Sequence, residues 1–235
     1  KHKRPGEFRT SQSWIGATLK DAIFIPPHHS EIIELMSDFE KFLNDEENHI
    51  PHLIKIAIAH YQFETIHPFL DGNGRLGRLI ITLYLVSSNV LKKPSLYLSD
   101  FFEKNKGYYY DNLMTVRTNS NLIQWIKFFL VGVIETSNGS IQVFKDIITL
   151  KNKIETEKLP KLGSKIEKGQ QLMKQLFQIP IIDSKQVSEL LQISPSTANR
   201  LIKDLIDLEI LSELTGYKRN RKFIFAEYFN IFQNK

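Results

Sequence analysis

The tightest constraint on folding lies between Pro51 and Val86, where two apolar stretches flank a glycine-bearing elbow. Residues 51–66 are apolar almost all round, with Leu53, Ile54, Ile56, Ala57, Ile58 and Ala59, and such a run predicts a central, buried helix. Leu79 to Val86 predicts a second buried helix, beginning near Arg75. Between them stands His67-Pro68-Phe69-Leu70-Asp71-Gly72-Asn73-Gly74-Arg75-Leu76-Gly77-Arg78. Gly72 and Gly74 allow backbone conformations closed to other residues, so the N–H groups there can converge on an anion. That anion would sit at the N-terminus of the second helix, where the dipole favours negative charge.

Arg75 and Arg78 are three apart and project from one side of the first helical turn. Cations are out of place at a helix N-terminus, so two of them there answer a larger negative charge, such as a polyphosphate. Asp71 stands beside the nest. A lone carboxylate next to a phosphate site is the usual way to hold Mg2+, the phosphates supplying further ligands. His67 is the group here that exchanges a proton near neutral pH. A base, a metal carboxylate, an anion nest and two arginines make a phosphoryl or nucleotidyl transfer site.

The stretch HPFLDGNGRLGR resembles the signature of the Fic (filamentation induced by cAMP) family, HPFx[DE]GNGRxxR, at every fixed position. The resemblance covers roughly residues 6–150. It implies a mainly α fold: a Fic-type helical bundle with a small β-hairpin flap. It also implies protein adenylylation, in which AMP passes from ATP to a Ser, Thr or Tyr hydroxyl and pyrophosphate leaves. By the same resemblance His67 is the general base and Asp71 the Mg2+ ligand. Gly72, Asn73 and Gly74 would hold the α- and β-phosphates, Arg75 the β-phosphate and Arg78 the γ-phosphate. Gly77 completes the ATP-binding motif, and Phe69 packs inward to anchor the loop.

Upstream, Ser13 to Thr18 and Ala22 to Pro27 are two short apolar and aromatic runs around a turn-like middle, which predicts a β-hairpin ended by Pro26-Pro27. In the family a hairpin here is the flap, which registers an extended target by strand addition. Ile15 would be its hydrophobic clamp, and Gly16, Ala17 and Thr18 would lie near the nucleotide. Residues 30–44 carry apolar side chains at helical spacing, with Ser30 as the expected N-cap. His60 reads as a core or supporting histidine, and His28 and His29 as a solvated loop. Helices are also expected from Ser99 to Asn105, from Tyr108 to Arg117 and over residues 121–134. Of the adjacent Tyr108, Tyr109 and Tyr110, at least one must be core. The resemblance places adenine contacts near here, with Asn105, Tyr110 and Leu113 as candidates.

From Ile134 to Leu159 the pattern stays helical but more polar, and residues 151–165 read as a helical linker ending in Lys158 to Lys165. Residues 166–235 differ. Leu172, Leu176 and Phe177 mark one helix, Asp183-Ser184 caps a second, and Ser194-Pro195 starts a third. Ile210-Leu211 and Phe223-Ile224-Phe225, around Thr215 to Lys222, then predict two strands. This order resembles a winged helix-turn-helix domain. Ser196, Thr197, Asn199 and Arg200 open the would-be recognition helix, and the wing carries Arg219 and Arg221, all candidates for DNA contact. Residues 166–235 hold ten Lys/Arg and eight Asp/Glu, a weak electrostatic footprint for nucleic acid. Winged helices also serve in protein docking and dimerisation, so a homodimer stays among the expected partners.

The whole chain carries a net charge of +5, which permits an anionic partner without requiring one. It contains no cysteine, which excludes a disulfide scaffold and thiol-ligated metal and fits a cytoplasm. No run predicts a membrane span. The expected partners are ATP and a protein hydroxyl, the chain's own included. Many Fic proteins carry an inhibitory (S/T)xxxE(G/N) helix whose glutamate pairs the second arginine. That motif does not occur in these 235 residues, and the chain starts at Lys1, so the expectation is an upstream inhibitory segment acting on Arg78. Two rivals stand beside adenylylation: a Fic enzyme that transfers or removes another phosphate-containing group, and a DNA-binding regulator whose Fic domain only senses nucleotide.

Overall fold

The computed structural model describes residues 6–16, 18, 20–47, 49–217 and 220–233. They divide into two compact units, Lys1–Ser140 and Ile141–Lys235. Both expected boundaries, 150 and 165, fall within the second unit. Among the described residues no helix is long and apolar enough to cross a membrane.

The first unit is helical: α1 (Ile32–Asn44), α2 (His52–Ile66), α3 (Asn73–Ser87), α4 (Ser99–Lys104), α5 (Lys106–Asn119) and the start of α6 (Leu122–Lys153). As its composition requires, α2 is the central element. Ile56, Ala57, Ala59, Phe63 and Ile66 are buried, and α1 and α3 pack on it. Trp125 of α6 is fully buried and its Nε1 donates to the Ala57 carbonyl at 2.8 Å, which fixes α6 against α2. Gly132 lets α6 approach α4: a Cβ there would stand 2.5 Å from the Phe101 ring.

Two local expectations change. Ser30 is not the cap of α1; a 3-10 turn, His29–Glu31, precedes the helix, and the His28 side chain accepts from the Ser30 N–H. Among the described residues the expected hairpin shows one antiparallel bridge, Ile15 to Phe24, and no strand. Gly16 explains the interruption. Its φ of 148° is closed to most side chains, and a Cβ there would stand 2.6 Å from the Asp21 carbonyl oxygen.

In the second unit, α7 (Ile166–Leu176), β1 (Ile181–Asp183), α8 (Ser184–Leu191), α9 (Pro195–Asp207), β2 (Ser212–Glu213), β3 (Lys222–Ile224) and α10 (Ala226–Ile231) follow in order. The sheet order is β1-β3-β2, all antiparallel. Asp183 forms a capping box with Gln186, and the Ser194 hydroxyl accepts from the Thr197 N–H with Pro195 at the first turn. β1 was not expected: a three-residue strand leaves too short a pattern to recognise. Residues 158–165 fall in the stretch expected as a helical linker, and only Gly163 within Leu159–Lys165 leaves helical φ/ψ. They are helical, and Leu159 and Leu162 are buried in the core of this unit with Leu172, Val187, Leu201 and Phe225.

Candidate active site

The elbow joins two helix ends. His67 caps α2 in the left-handed conformation, φ 49° and ψ 59°, and its N–H donates to the Phe63 carbonyl. Such a conformation is uncommon outside glycine and needs surrounding structure to hold it. Arg9 supplies it. Its side chain, 2% exposed, donates from Nε to the His67 carbonyl at 2.9 Å, from Nη1 to Ser11 and from Nη2 to Pro27 and Ile66. Its N–H donates to the Pro68 carbonyl at 2.8 Å. One arginine thus ties the base of the N-terminal hairpin to the turn bearing His67.

Gly72 is the N-cap of α3 at φ 87°, a position for glycine, and α3 starts at Asn73, two residues before the expected Arg75. Asn73 is buried. Its Oδ1 accepts from the Phe69 N–H at 2.9 Å and its Nδ2 donates to the Phe69 carbonyl at 2.7 Å. This two-way clamp closes the loop around Phe69, whose ring meets Phe8 at 5.4 Å. The asparagine is spent on the loop's shape. The N–H groups of the first turn of α3 keep no intrahelical partner, as at any helix start.

The two arginines part company. Arg75 is exposed, with Nη2 3.9 Å from Asp71 Oδ2. Arg78 is half-buried and turned toward α2, where its charge acts on Glu64 and His60. Gly77 is buried, and a Cβ there would run into Glu64, His60 and Phe63, so it serves the packing of α3 on α2. Asp71 is half-exposed, and no group of three or more His, Cys, Asp or Glu gathers among the described residues. A single hard carboxylate suits Mg2+ whose remaining ligands are phosphate and water oxygens, and does not suit a metal caged by protein alone.

A polar cluster lies behind the elbow. His60 is fully buried against the Phe102 and Trp125 rings, with Nε2 3.0 Å from the Tyr109 hydroxyl, and burial pushes it down to about 4. Tyr109 is therefore the core member of the three tyrosines. Glu64 is buried with Oε1 unpartnered, and desolvation raises its carboxyl to about 7 against the pull of Arg78 and Arg117. Arg117 of α5 reaches the same place, donating to Thr65 Oγ1 at 3.4 Å with its Cζ 3.4 Å from the Phe24 ring centroid. Burial lowers His67 below the usual imidazole range; the Glu64 carbonyl opposes this, and Arg9 and Arg117 add to it. The ring is neutral at pH 7, the state a general base needs.

Of the remaining candidates, Ile15 and Gly16 sit on the hairpin, and Thr18 bonds Asp21 Oδ2 at 2.7 Å. Ala17 and Arg219 lie outside the described residues. Asn105 spends its Nδ2 on the Phe101 carbonyl, Tyr110 is exposed beside Tyr109, and Leu113 is buried in the core. In the second unit Ser196, Asn199 and Arg200 are exposed at the start of α9, and the Ser196 and Thr197 hydroxyls bond Ser194. Arg221 is paired with Glu213, which lies low in the carboxylate range through that bond. The sequence reading missed Arg9, Glu64 and Arg117. An acid inside an apolar helix, three residues before His67, was a readable signal for Glu64. Neither arginine carries one.

Residues 1–85 match the family model described as Fic/DOC family. A protein adenylyltransferase Fic from Culex quinquefasciatus is 33% identical over 124 residues, covering 52% of this chain and 22% of that protein. One from Drosophila melanogaster is 40% identical over 82 residues, covering 34% and 15%. The matched part of this chain thus spans less than a quarter of either relative. A solved Fic family protein from Desulfovibrio desulfuricans G20 shares the fold with a TM-score of 0.55, at 19% identity, over 95% of this chain and 63% of that one. The segment that bears the elbow, residues 1–85, is thus the part of this chain that matches the Fic/DOC family model.

Proposed function

We propose that the protein is an adenylyltransferase, moving AMP from ATP to a Ser, Thr or Tyr hydroxyl of a protein and releasing pyrophosphate. One observation carries the reading: a neutral imidazole, held on a left-handed cap, stands a few residues ahead of a glycine-capped helix N-terminus. His67 takes the proton from the attacking hydroxyl as its oxygen bonds the α-phosphorus and the bond to pyrophosphate breaks. The N–H groups from Gly72 to Gly74 hold the α- and β-phosphates where charge develops. Arg75 pairs the β-phosphate and Arg78 the γ-phosphate. Mg2+ held by Asp71 neutralises phosphate charge when bound. The hairpin with Ile15, Gly16 and Thr18 registers the target, and Asn105, Tyr110 and Leu113 are the adenine candidates, Tyr110 being the exposed one.

The relatives named protein adenylyltransferase Fic support this reading over a rival group transfer. Incubated with α-32P-ATP, the wild type should label protein, and His67→Ala should lose on the order of a hundredfold or more of the rate. Equal labelling by His67→Ala sinks the proposal, and stronger labelling from another nucleotide moves it to the rival transfer. An inhibitory glutamate helix acting on Arg78 is the regulatory part of the proposal. It falls if a longer chain bearing such a helix labels as fast as this one.

For the second unit, the order of helix, strand, helix, helix, strand, strand supports a winged-helix reading. Exposed Asn199 and Arg200 favour nucleic acid, while the Arg221–Glu213 pair removes one wing cation from the count.

A further inference from the structure

Arg117 of α5 touches both α2 and the hairpin, and the adenylyl-transfer reading gives it no task. Its Cζ stands 3.4 Å from the centre of the Phe24 ring. Its Nη2 donates to Thr65 on α2 at 3.4 Å, and its Nη1 lies 3.5 Å from Met114 Sδ on its own helix. Its Nε is buried without a partner. Phe24 is not an arbitrary contact. Its carbonyl accepts the Ile15 N–H at 2.9 Å, and the Ile15 carbonyl accepts from Ile23 at 2.8 Å, so the ring and the Ile15 backbone share one bridge.

We infer that Arg117 is a positioning residue: by stacking on Phe24 while bonded to α2, it sets the hairpin's Ile15–Phe24 bridge, and with it Ile15, in front of His67. This rests on the reading of the hairpin as the target-registering element. The physical case is that one bridge is weak by itself. An isolated pair of short segments is marginal in water without a packed face. A guanidinium over an aromatic face supplies attraction that grows with desolvation, and its planar shape stacks where an ammonium cannot. Arg117 also has a charge-borne effect at the site. The charged groups bearing on His67 are Arg9 and Arg117, and both hold its imidazole neutral, while the Glu64 carbonyl acts the other way.

The two roles separate by substitution in the full chain. Arg117→Lys keeps the charge and loses the stacking plane. Arg117→Met loses both. Phe24→Leu removes the ring and leaves the arginine. Hydrogen exchange should speed up at the Ile15 and Ile23 amides in all three, with α3 amides unchanged. Self-labelling from α-32P-ATP should fall on the order of a hundredfold, the scale that a misplacement of about 1 Å can cost. Affinity for the fluorescent analogue mant-ATP should stay as in wild type. The acid limb of the labelling rate should move to higher pH in Arg117→Met and stay in Arg117→Lys. Wild-type exchange at Ile15 and Ile23 in Arg117→Met and Phe24→Leu overturns the inference. If either variant loses its helical circular dichroism, the other carries the test. Absence of labelling by the wild type overturns the adenylyl-transfer reading instead, and leaves the exchange measurement standing.

Discussion

Glu64 shows what burial does to one residue. It lies on the face of α2 that meets Gly77 of α3, and its Oε1 finds no hydrogen bond. Arg78 and Arg117 favour its charged form, yet desolvation wins and the carboxyl rises from 4.5 to about 7. The folded state therefore holds an extra proton between those values, and stability falls as pH rises through that window. Glu64→Gln keeps the shape and removes the titration. Its stability advantage over wild type should grow by up to about 3 kcal/mol between pH 5 and pH 8. Urea unfolding at both pH values measures it, and a constant gap would refute the assignment.

Helix α6 carries two glycines in opposite surroundings. At Gly132 an added Cβ would stand 2.5 Å and 2.6 Å from the buried Phe101 ring, and at Gly139 it would meet nothing within 4 Å. Gly139→Ala should raise the melting temperature, a gain of about 1 kcal/mol in helix propensity. Gly132→Ala gains the same propensity but forces the ring aside, and should come out about 1–3 kcal/mol less stable. Calorimetry of the pair checks it: similar shifts would mean α4 does not pack on Gly132. From sequence the two positions are indistinguishable, because both are lone glycines in a helical pattern. Only the neighbour across the interface separates them.

At the scale of the whole molecule, each unit has its own apolar core. One gathers residues of α1 to α6 around Phe63, Trp125 and Phe129; the other gathers Leu172, Val187, Leu201 and Phe225. A fragment of residues 141–235 should therefore unfold cooperatively by itself. If the winged-helix reading extends to nucleic acid, this fragment should raise the anisotropy of a labelled DNA duplex, and Arg200→Ala should weaken it. Binding should decline steeply between 50 and 200 mM salt. No anisotropy change at the lower salt would leave protein docking as the role of the unit.

How far the chain could be read depended on distance along it. The helices, the caps at Asp183 and Ser194, and the glycine-capped elbow that bears His67, Asp71 and the two arginines were legible because each is set by neighbours within a few residues. Local spacing determines which face a side chain takes, and local glycines determine where the backbone can turn. The long-range features came from tertiary packing. It decided that Arg9 bonds the turn at His67, that Arg117 lies over Phe24, that Arg78 faces Glu64 while Arg75 faces solvent, and that Leu159 and Leu162 are packed. Those outcomes depend on desolvation and on partners far away in the chain, neither of which a window of sequence contains.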